Sequence, residues 1–345
     1  ACLASYKPLN QYPWISYNHV PKELALIYLK QVVEPQQEQT LSKNIRKHQK
    51  IRDNISSQVQ KQYEQNPYPR WITSNIHLPP QSISRFIKNN KIKVNNPNFP
   101  NAMTPSILIA GCGTGQHSIE TSQTFKDSTV LAIDLSLKSL AYAKRKTEEI
   151  GISNIEYMQA DILNINQINK KFDIIESAGV LHHMQDPMAG WQALVNRLNS
   201  GGLMMVGLYS ELARQHIVRI QNEIKKENKP LNDNYIKLIR RNIINSNLEH
   251  HKRIKSSPDF YNISSIRDLL FHVQEHNFTI PKIKNALIEL DLIFCGFRHP
   301  RLSNIINSSN HLSIENIYCL DAWETYEENN PNTFLGMYQF WCQKK

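Results

Sequence analysis

Two short segments of the chain carry the residue types of a nucleoside-binding site. The apolar run Ile107–Ala110 ends in the glycine-rich turn Gly111-Cys-Gly-Thr-Gly115, and the apolar run Val130–Ile133 ends at Asp134. Glycines let a backbone approach a ligand closely, and a carboxylate at the end of the next strand can accept hydrogen bonds from ribose hydroxyls. The spacing is G-x-G-x-G, with Gln116 where a dinucleotide-binding turn has its third glycine.

Further polar groups follow the next two predicted strands. Asp161 comes after the strand predicted at Ile155–Met158, and His182 and His183 come after the strand predicted at Phe172–Ser177. An imidazole at this place could act as a general base near neutral pH. The alternative is that the two histidines belong to the turn between strand and helix.

Another histidine pair brackets an acidic residue in the second half of the chain. His272 and His276 are four residues apart, with Glu275 between them, so on a predicted helix they share one face. The pattern H-x-x-E-H also occurs in zinc proteases, but no further ligand follows at a recognisable spacing. We therefore predict a polar cluster that faces the substrate and no metal, with a zinc hydrolase as an alternative.

An aromatic segment follows a long predicted helix near the start of the chain. Apolar residues about four apart predict an amphipathic helix from Leu41 to Tyr63, and the two prolines that follow would end it. Tyr68, Arg70 and Trp71 come directly afterwards. Together with Tyr63 they predict a lid over the ligand, or aromatic residues that dock the helix onto the core.

The order of the predicted elements indicates a doubly wound α/β fold. Five strands alternate with helices between residues 105 and 210, and two more strands, predicted at 292–297 and 333–342, suggest an antiparallel edge hairpin. We predict a helical cap at 1–104, an α/β domain at 105–210 and 281–345, and a helical insertion at 211–280 that lines the substrate pocket.

Composition limits the classes of function. The 345 residues contain 40% hydrophobic and 20% charged residues with five scattered cysteines, and no apolar run approaches the eighteen residues of a membrane span. These features predict a reduced, cytoplasmic protein without a disulfide framework. The net charge of +10 suggests acidic partners, including RNA. The first residue is Ala1 rather than Met, which is compatible with a further segment upstream.

From about residue 106 onward the sequence resembles the class I S-adenosylmethionine-dependent methyltransferases. The resemblance implies a seven-stranded Rossmann-like sheet of order 3-2-1-4-5-7-6 with the last strand antiparallel. It also implies that Asp134 binds the ribose and Asp161 and the Ile162 amide bind adenine. The acid that usually precedes the glycine turn is replaced by Ala110. The implied cofactor-binding residues are Gly111, Cys112, Gly113, Gly115, Asp134, Leu135, Asp161, Ile162 and Ser177.

The flanking segments resemble a bacterial group of these enzymes, some of which follow tetratricopeptide repeats. The matching segments are Gln62–Trp71, Gly207–Ser210 and Asp268–His276. The resemblance strengthens the enzyme class without naming the methyl acceptor, and we predict methyl transfer to an O, N or C nucleophile of an unidentified small molecule or peptide. An RNA methyltransferase and a binding protein without turnover are alternatives. Predicted catalytic residues are Tyr63, His182, His183, His272, Glu275 and His276, and predicted substrate-binding residues are Tyr68, Arg70, Trp71 and Tyr209.

Overall fold

The computed structural model describes residues 2–12, 15, 20–74, 79–95, 103–309 and 312–345. Within these ranges the strands are β1 (Arg46–Lys47), β2 (Ser106–Ala110), β3 (Thr129–Asp134), β4 (Ile155–Gln159), β5 (Phe172–Ala178), β6 (Leu198–Leu208), β7 (Leu292–Phe297) and β8 (Tyr338–Lys344). They form one sheet in the order β1-β4-β3-β2-β5-β6-β8-β7, in which β8 is antiparallel to both of its neighbours. Without β1 this is the predicted order 3-2-1-4-5-7-6.

The helices cover both faces of the sheet and extend beyond it. Their bounds are α1 (Cys2–Tyr6), α2 (Ala25–Tyr28), α3 (Glu34–Asn44), α4 (Asn54–Gln65), α5 (Ile83–Asn89), α6 (Gln116–Thr124), α7 (Leu137–Ile150), α8 (Pro187–Val195), α9 (Gln215–Glu227), α10 (Asp233–Asn245), α11 (Glu249–Ile254), α12 (Ile263–Phe271), α13 (Ile280–Glu289), α14 (Leu302–Ser308) and α15 (Leu320–Asn329). A π-helical turn at Leu29–Val33 joins α2 to α3.

The central strands are apolar on both faces because both faces are covered. Along β3, Val130 and Ala132 pack into one hydrophobic cluster, whereas Leu131 and Ile133 pack into the cluster on the other side of the sheet. This burial is typical of parallel sheets flanked by helices. Helix α7 then begins and ends as its sequence predicts, with the Ser136 hydroxyl accepting from Ser139 N at 3.1 Å and Gly151 at φ +82°.

The prediction of one helix from Leu41 to Tyr63 is wrong. Helix α3 ends at Asn44, where Ile45 adopts extended backbone and buries its side chain, and α4 starts only after Asp53, whose carboxylate accepts from Ser56 N at 2.7 Å. The intervening residues include β1, which pairs with the carboxyl end of β4. The sheet therefore has eight strands in the described residues rather than the predicted seven.

Chain segments cover both edges of the sheet. At one edge β1 pairs with β4, and His48 N donates to Gln159 O at 2.8 Å. At the other edge Lys93 N donates to Cys295 O of β7 at 2.9 Å. Both covering segments precede β2 in the sequence, so the amino-terminal part of the chain wraps around the sheet.

Helix α3 is held on α7 by a cluster of charged side chains. Arg145, which is 6% exposed, binds Glu34 at 3.2 Å, Glu38 at 2.9 Å and Glu149 at 3.0 Å. Two of these carboxylates belong to α3, and the guanidinium has donors enough for all three. This cluster fixes α3 against α7.

Helices α9 to α12, which lie between β6 and α13 in the sequence, form a separate layer. Their apolar faces pack into a hydrophobic cluster of their own, with Ile220, Ile236, Ile266 and Phe260 at its centre. No helix in the part of the chain that the structure describes is long and apolar enough to cross a membrane.

Candidate active site

A cavity of about 470 Å³ opens at the carboxyl ends of the parallel strands. Ligands of doubly wound sheets bind at this edge because the loops that leave the strands converge there. Loops after β2, β3, β4, β5 and β6 all contribute to the wall of the cavity, and so does helix α4. Seven of the nine predicted cofactor residues line the cavity: Gly111, Cys112, Gly113, Asp134, Leu135, Asp161 and Ile162.

The glycine turn is held by the aspartate of the next strand. Gly113 N donates to Asp134 Oδ2 at 2.9 Å, and Gly113 has φ +52°. A Cβ at this position would lie 2.9 Å from the Tyr68 carbonyl oxygen. Gly115 lies outside the cavity wall, at the start of α6, where a Cβ would come within 2.5 Å of Ala143 Cβ. Gly113 therefore lines the cavity and leaves room for the Tyr68 carbonyl. Gly115 leaves room for α6 to pack on α7.

Asp134 lies at the end of β3 with both carboxylate oxygens in use. Oδ1 accepts from Ser136 N at 2.8 Å and Oδ2 accepts from Gly113 N at 2.9 Å. Each oxygen keeps a further lone pair, so the carboxylate can still accept two hydroxyl donors. Burial raises the pKa of Asp134 to about 6, against the backbone hydrogen bonds that favour its ionised form.

Asp161 follows β4 and faces the same cavity. Its Oδ1 accepts from Leu163 N at 3.0 Å, whereas Oδ2 is buried and makes no hydrogen bond among the described residues. Burial raises the pKa of this carboxyl group. A buried oxygen without a donor fits a ligand that brings an N–H group to it. Ser177, also predicted to bind the cofactor, is fully buried and does not line the cavity.

Three tyrosines and one histidine line the other half of the cavity: Tyr63, Tyr68, Tyr209 and His183. Tyr63 Oη donates to Asp268 Oδ1 at 2.6 Å and lies 3.2 Å from His272 Nε2. Burial raises the pKa of Tyr63 well above its ordinary range. Tyr63 is therefore a hydrogen-bond donor to Asp268 and not a base near neutral pH.

His183 and His272 stack on each other with ring centroids 3.5 Å apart. Nδ1 of His183 lies 2.7 Å and Nδ1 of His272 lies 2.8 Å from the Gln274 carbonyl oxygen. A carbonyl only accepts, so Nδ1 of His183 carries the proton and its Nε2 keeps a lone pair, whereas Nδ1 of His272 also lies 3.2 Å from Gln274 N, which donates to it. Burial lowers the pKa of His183 well below its usual value and that of His272 to about 4, so both rings are neutral.

The H-x-x-E-H segment is not helical, and this prediction is wrong. Helix α12 ends at Phe271, and His272 has extended backbone. Glu275 binds Arg214 at 3.0 Å, and His276 N donates to the carbonyl oxygen of His182. The backbone carbonyl of Gln274, which would close a helical turn, instead lies beside the two histidine rings. The segment thus places its three polar residues in different contacts, and His272 lies behind the cavity wall, where its Nε2 is 3.2 Å from Tyr63 Oη.

The remaining predicted residues lie behind the cavity or outside it. His182 is fully buried and packs on Tyr209, with ring centroids 4.0 Å apart. Trp71 is buried, and its Nε1 donates to Thr114 O at 3.0 Å, so it docks the aromatic segment onto the glycine-rich turn. Arg70 is exposed and does not line the cavity.

Sequence reasoning missed several residues of the cavity wall. Asp268 lies on α12 between buried apolar residues, and a carboxylate on the apolar face of a helix is a signal that could have been recognised. Arg298, which follows β7, also lines the cavity. Helix α4 contributes Ile55 and Val59, whose apolar side chains had been assigned only to helix packing.

Comparison with known proteins agrees with this architecture. Residues 107–202 match the family model described as a methyltransferase domain, and this match supports S-adenosylmethionine as the predicted cofactor. An uncharacterized protein of Synechococcus is 34% identical over 126 residues, which are 36% of this chain and 30% of that protein. Phosphoethanolamine N-methyltransferase 1 of Arabidopsis thaliana is 27% identical over 128 residues, which are 37% of this chain and 26% of that enzyme.

A solved structure extends the similarity in fold beyond the matched domain. PKMT2 from Rickettsia typhi, in complex with AdoHcy, superimposes with a TM-score of 0.56 at 18% identity, over 80% of this chain and 54% of that one. At this identity the likeness concerns the fold. The chain spans about half the length of that structure and less than half of the two relatives named above.

Proposed function

We propose that this protein is a methyltransferase that uses S-adenosylmethionine as the methyl donor. The observation that carries the proposal is a pair of carboxylates, the half-buried Asp134 and the buried Asp161, on one cavity that the glycine turn also lines. Asp134 accepts from the ribose hydroxyls, and the unpaired Oδ2 of Asp161 accepts from the exocyclic amine of adenine. The apolar side chains of Ile55 and Val59 cover the adenine from α4.

The donor's methyl group then points toward the half of the cavity that contains His183 and the three tyrosines. Methyl transfer is an in-line displacement in which the acceptor atom attacks the methyl carbon and the electron pair of the C–S bond returns to sulfur. The cavity holds donor and acceptor together at the carboxyl ends of the strands. Residues 1–104 act as a cap over the donor, and the insertion at 211–280 supplies Asp268 and His272 to the acceptor side.

The geometry disfavours a zinc hydrolase, and it does not distinguish a methyltransferase from a protein that binds the donor without turnover. A zinc hydrolase would need the H-x-x-E-H residues on one helix, whereas Glu275 is committed to Arg214. A protein that binds the donor without turnover has the same donor half. Mass spectrometry distinguishes a methyltransferase from a protein that only binds the donor. It measures the S-adenosylhomocysteine that is released when the protein is incubated with fractionated cell extract. Donor binding without release in any fraction would favour the non-catalytic protein.

Donor binding should be visible as thermal stabilisation. A ligand that binds only the folded state raises the melting temperature in proportion to its saturation. We expect S-adenosylhomocysteine to raise the melting temperature of this protein, measured by differential scanning fluorimetry, and NAD to leave it unchanged. Stabilisation by NAD in place of S-adenosylhomocysteine would contradict the donor assignment.

Donor affinity should fall in mild acid because of Asp134. The pKa of this carboxyl group is about 6, so it is ionised at neutral pH and protonated as the pH drops below that value. Ribose hydroxyls donate to the ionised form. We therefore expect the dissociation constant of S-adenosylhomocysteine to rise about tenfold between about pH 7.5 and about pH 5.

Isothermal titration calorimetry at both pH values measures this change. Asp134→Asn is the matched control, because an amide does not titrate in this range and its weaker binding should be independent of pH. Equal affinity of the wild-type protein at both pH values would show that ionised Asp134 does not hold the ribose.

A further inference from the structure

Asp268 lies in the half of the cavity that Tyr63, Tyr68, Tyr209 and His183 also line, which we call the tyrosine half. It belongs to α12 and is only 6% exposed. Its Oδ1 accepts from Tyr63 Oη at 2.6 Å, whereas its Oδ2 makes no hydrogen bond within the described ranges. A buried carboxylate oxygen without a donor fits a ligand that brings an O–H or N–H group to it.

The surroundings of Asp268 keep it ionised but more basic than an exposed aspartate. Burial raises the pKa of Asp268 to about 6, and the neighbouring Asp259 acts in the same direction. The hydrogen bond from Tyr63 and the positive charge of Arg214, which is paired with Glu275 at 3.0 Å, favour the ionised form. A carboxylate in this state suits a general base that works near neutral pH.

The other titratable groups of the tyrosine half are poorly suited to remove a proton. Burial raises the pKa of Tyr63, Tyr68 and Tyr209 above the ordinary range of a phenol, so these hydroxyls keep their protons near neutral pH. Burial lowers the pKa of His183 well below its usual value, so its imidazole is a weak base. Among the described residues of this half, Asp268 remains as the group that can take a proton.

Tyr209 offers a hydrogen-bond donor close to Asp268. Its ring is fixed between His182, with ring centroids 4.0 Å apart, and the Arg214 guanidinium, 3.5 Å from the ring centroid. Burial and the nearby Asp268 raise the pKa of Tyr209, and its hydroxyl makes no hydrogen bond in the part of the chain that the structure describes.

A hydroxyl group is complementary to this pair. Its oxygen can donate its hydrogen to Asp268 and accept from Tyr209, and it still keeps a second lone pair for attack on the methyl carbon. An amine nitrogen has a single lone pair, which a hydrogen bond from Tyr209 would occupy. The two residues therefore favour oxygen over nitrogen as the acceptor atom.

We propose that Asp268 is the general base of the methyl transfer and that the methyl acceptor is a hydroxyl group held between Asp268 Oδ2 and Tyr209 Oη. This inference rests on the proposed function, because it concerns the acceptor of the same reaction. It narrows the acceptor to alcohols and phenols, whether free or part of a larger molecule.

The reaction then balances without a further reactant. The oxygen of R–OH attacks the sulfonium methyl carbon, the C–O bond forms, and the O–H proton passes to Asp268 Oδ2. The C–S bond breaks, and its electron pair stays on sulfur. The products are R–O–CH3, S-adenosylhomocysteine and the neutral carboxyl group of Asp268, which returns its proton to water. Because the O–H proton becomes acidic as the C–O bond forms, a carboxylate is a sufficient base.

Turnover and donor affinity of Asp268→Asn test the base. The amide keeps an oxygen that accepts from Tyr63 but cannot take the proton. With an active fraction of cell extract and saturating donor, we expect the rate of S-adenosylhomocysteine formation to fall about a hundredfold or more, while its dissociation constant stays within about threefold of wild type. Asp268→Glu should recover part of the rate. The wild-type rate should also fall as the pH drops through about 6, and this decline should be missing in Asp268→Asn.

Asp259→Asn is the matched control. Asp259 also accepts from a tyrosine, Tyr68 Oη at 3.3 Å, but it does not line the cavity. Its turnover should equal that of the wild-type protein. Wild-type turnover in a folded Asp268→Asn variant would overturn the base assignment.

Phenol and anisole test the class of acceptor in the protein saturated with S-adenosylhomocysteine, because they share a ring and differ in the hydroxyl hydrogen. We expect phenol to bind about tenfold more tightly in calorimetry, and Asp268→Asn to remove this difference. Equal binding of the two probes, or a methyl group found on nitrogen in the product of the active fraction, would overturn the hydroxyl assignment. S-adenosylhomocysteine binding in the same samples separates the two proposals. If it binds but Asp268→Asn behaves as wild type, the donor assignment stands and the base assignment fails.

Discussion

Replacement of Asp134 by asparagine should weaken S-adenosylhomocysteine binding about a hundredfold, because hydrogen bonds to a carboxylate contribute about 1.5–3 kcal/mol each and the ribose makes two. The amide has the shape of the carboxylate but only one accepting oxygen. Gly113 N and Ser136 N donate to different oxygens of the carboxylate, so the amide oxygen can accept from only one of them and the amide nitrogen faces the other donor. Calorimetry of the purified variant at neutral pH gives the dissociation constant directly.

Asp127→Asn is the control for this variant. Asp127 is an exposed aspartate with φ +54°, a conformation that asparagine also adopts readily, and it lies outside the cavity. Its affinity for S-adenosylhomocysteine should equal that of the wild-type protein. Circular dichroism of both variants shows whether the fold is intact. Wild-type affinity in a folded Asp134→Asn variant would mean that the ribose binds elsewhere.

Arg145→Met is expected to lower the free energy of unfolding, and this is the second large effect. Methionine keeps much of the apolar stem but leaves Glu38 without its cation and Glu34 with Lys30 as its remaining partner, in a partly buried place. Breaking a buried ion pair by removing one partner typically costs about 3 kcal/mol or more of unfolding free energy. Urea denaturation followed by tryptophan fluorescence measures the loss.

Two further variants separate charge from packing. Glu149→Gln should lower the unfolding free energy less than Arg145→Met does, because this carboxylate is half exposed and its loss leaves only the Lys146 ammonium without an ion pair. Combining Arg145→Met with Glu34→Gln and Glu38→Gln should restore most of the lost stability, since the unpaired charges are then gone. A triple variant as unstable as Arg145→Met would assign the loss to the packing of the arginine stem on Tyr142.

The α/β core could be predicted because its signals are local and repeated. An apolar run followed by glycine or a carboxylate marks the carboxyl end of a buried strand, and β2, β3 and β4 each end in this way. The parallel sheet then brings these ends together without further information. The same reasoning placed Asp134 and Asp161 on one cavity, which is where the structure has them.

The acceptor side depends on contacts between residues distant in sequence, and these could not be predicted. Tyr63 and Asp268 are 205 positions apart, and no periodicity of either segment indicates that they meet. The spacing of His272 and His276 suits a helix, yet the histidine rings compete for the Gln274 carbonyl and the helix stops before them. In the same way, Ile45 continues the apolar pattern of α3 but leaves the helix to fill the core.

The covered edges of the sheet have a consequence for solubility at high concentration. An open strand edge offers free N–H and C=O groups to a second copy of the chain, which is a common route to aggregation. Here the outermost strand beside β4 is only two residues long and consists of Arg46 and Lys47, and both residues are exposed. Because like charges repel, a short edge strand of positively charged residues disfavours pairing with the same strand of another copy of the chain. Strand β1 thus disfavours pairing between the sheets of two copies of the chain. Chains that lack β1 would be expected to form fibrils or amorphous precipitate more readily.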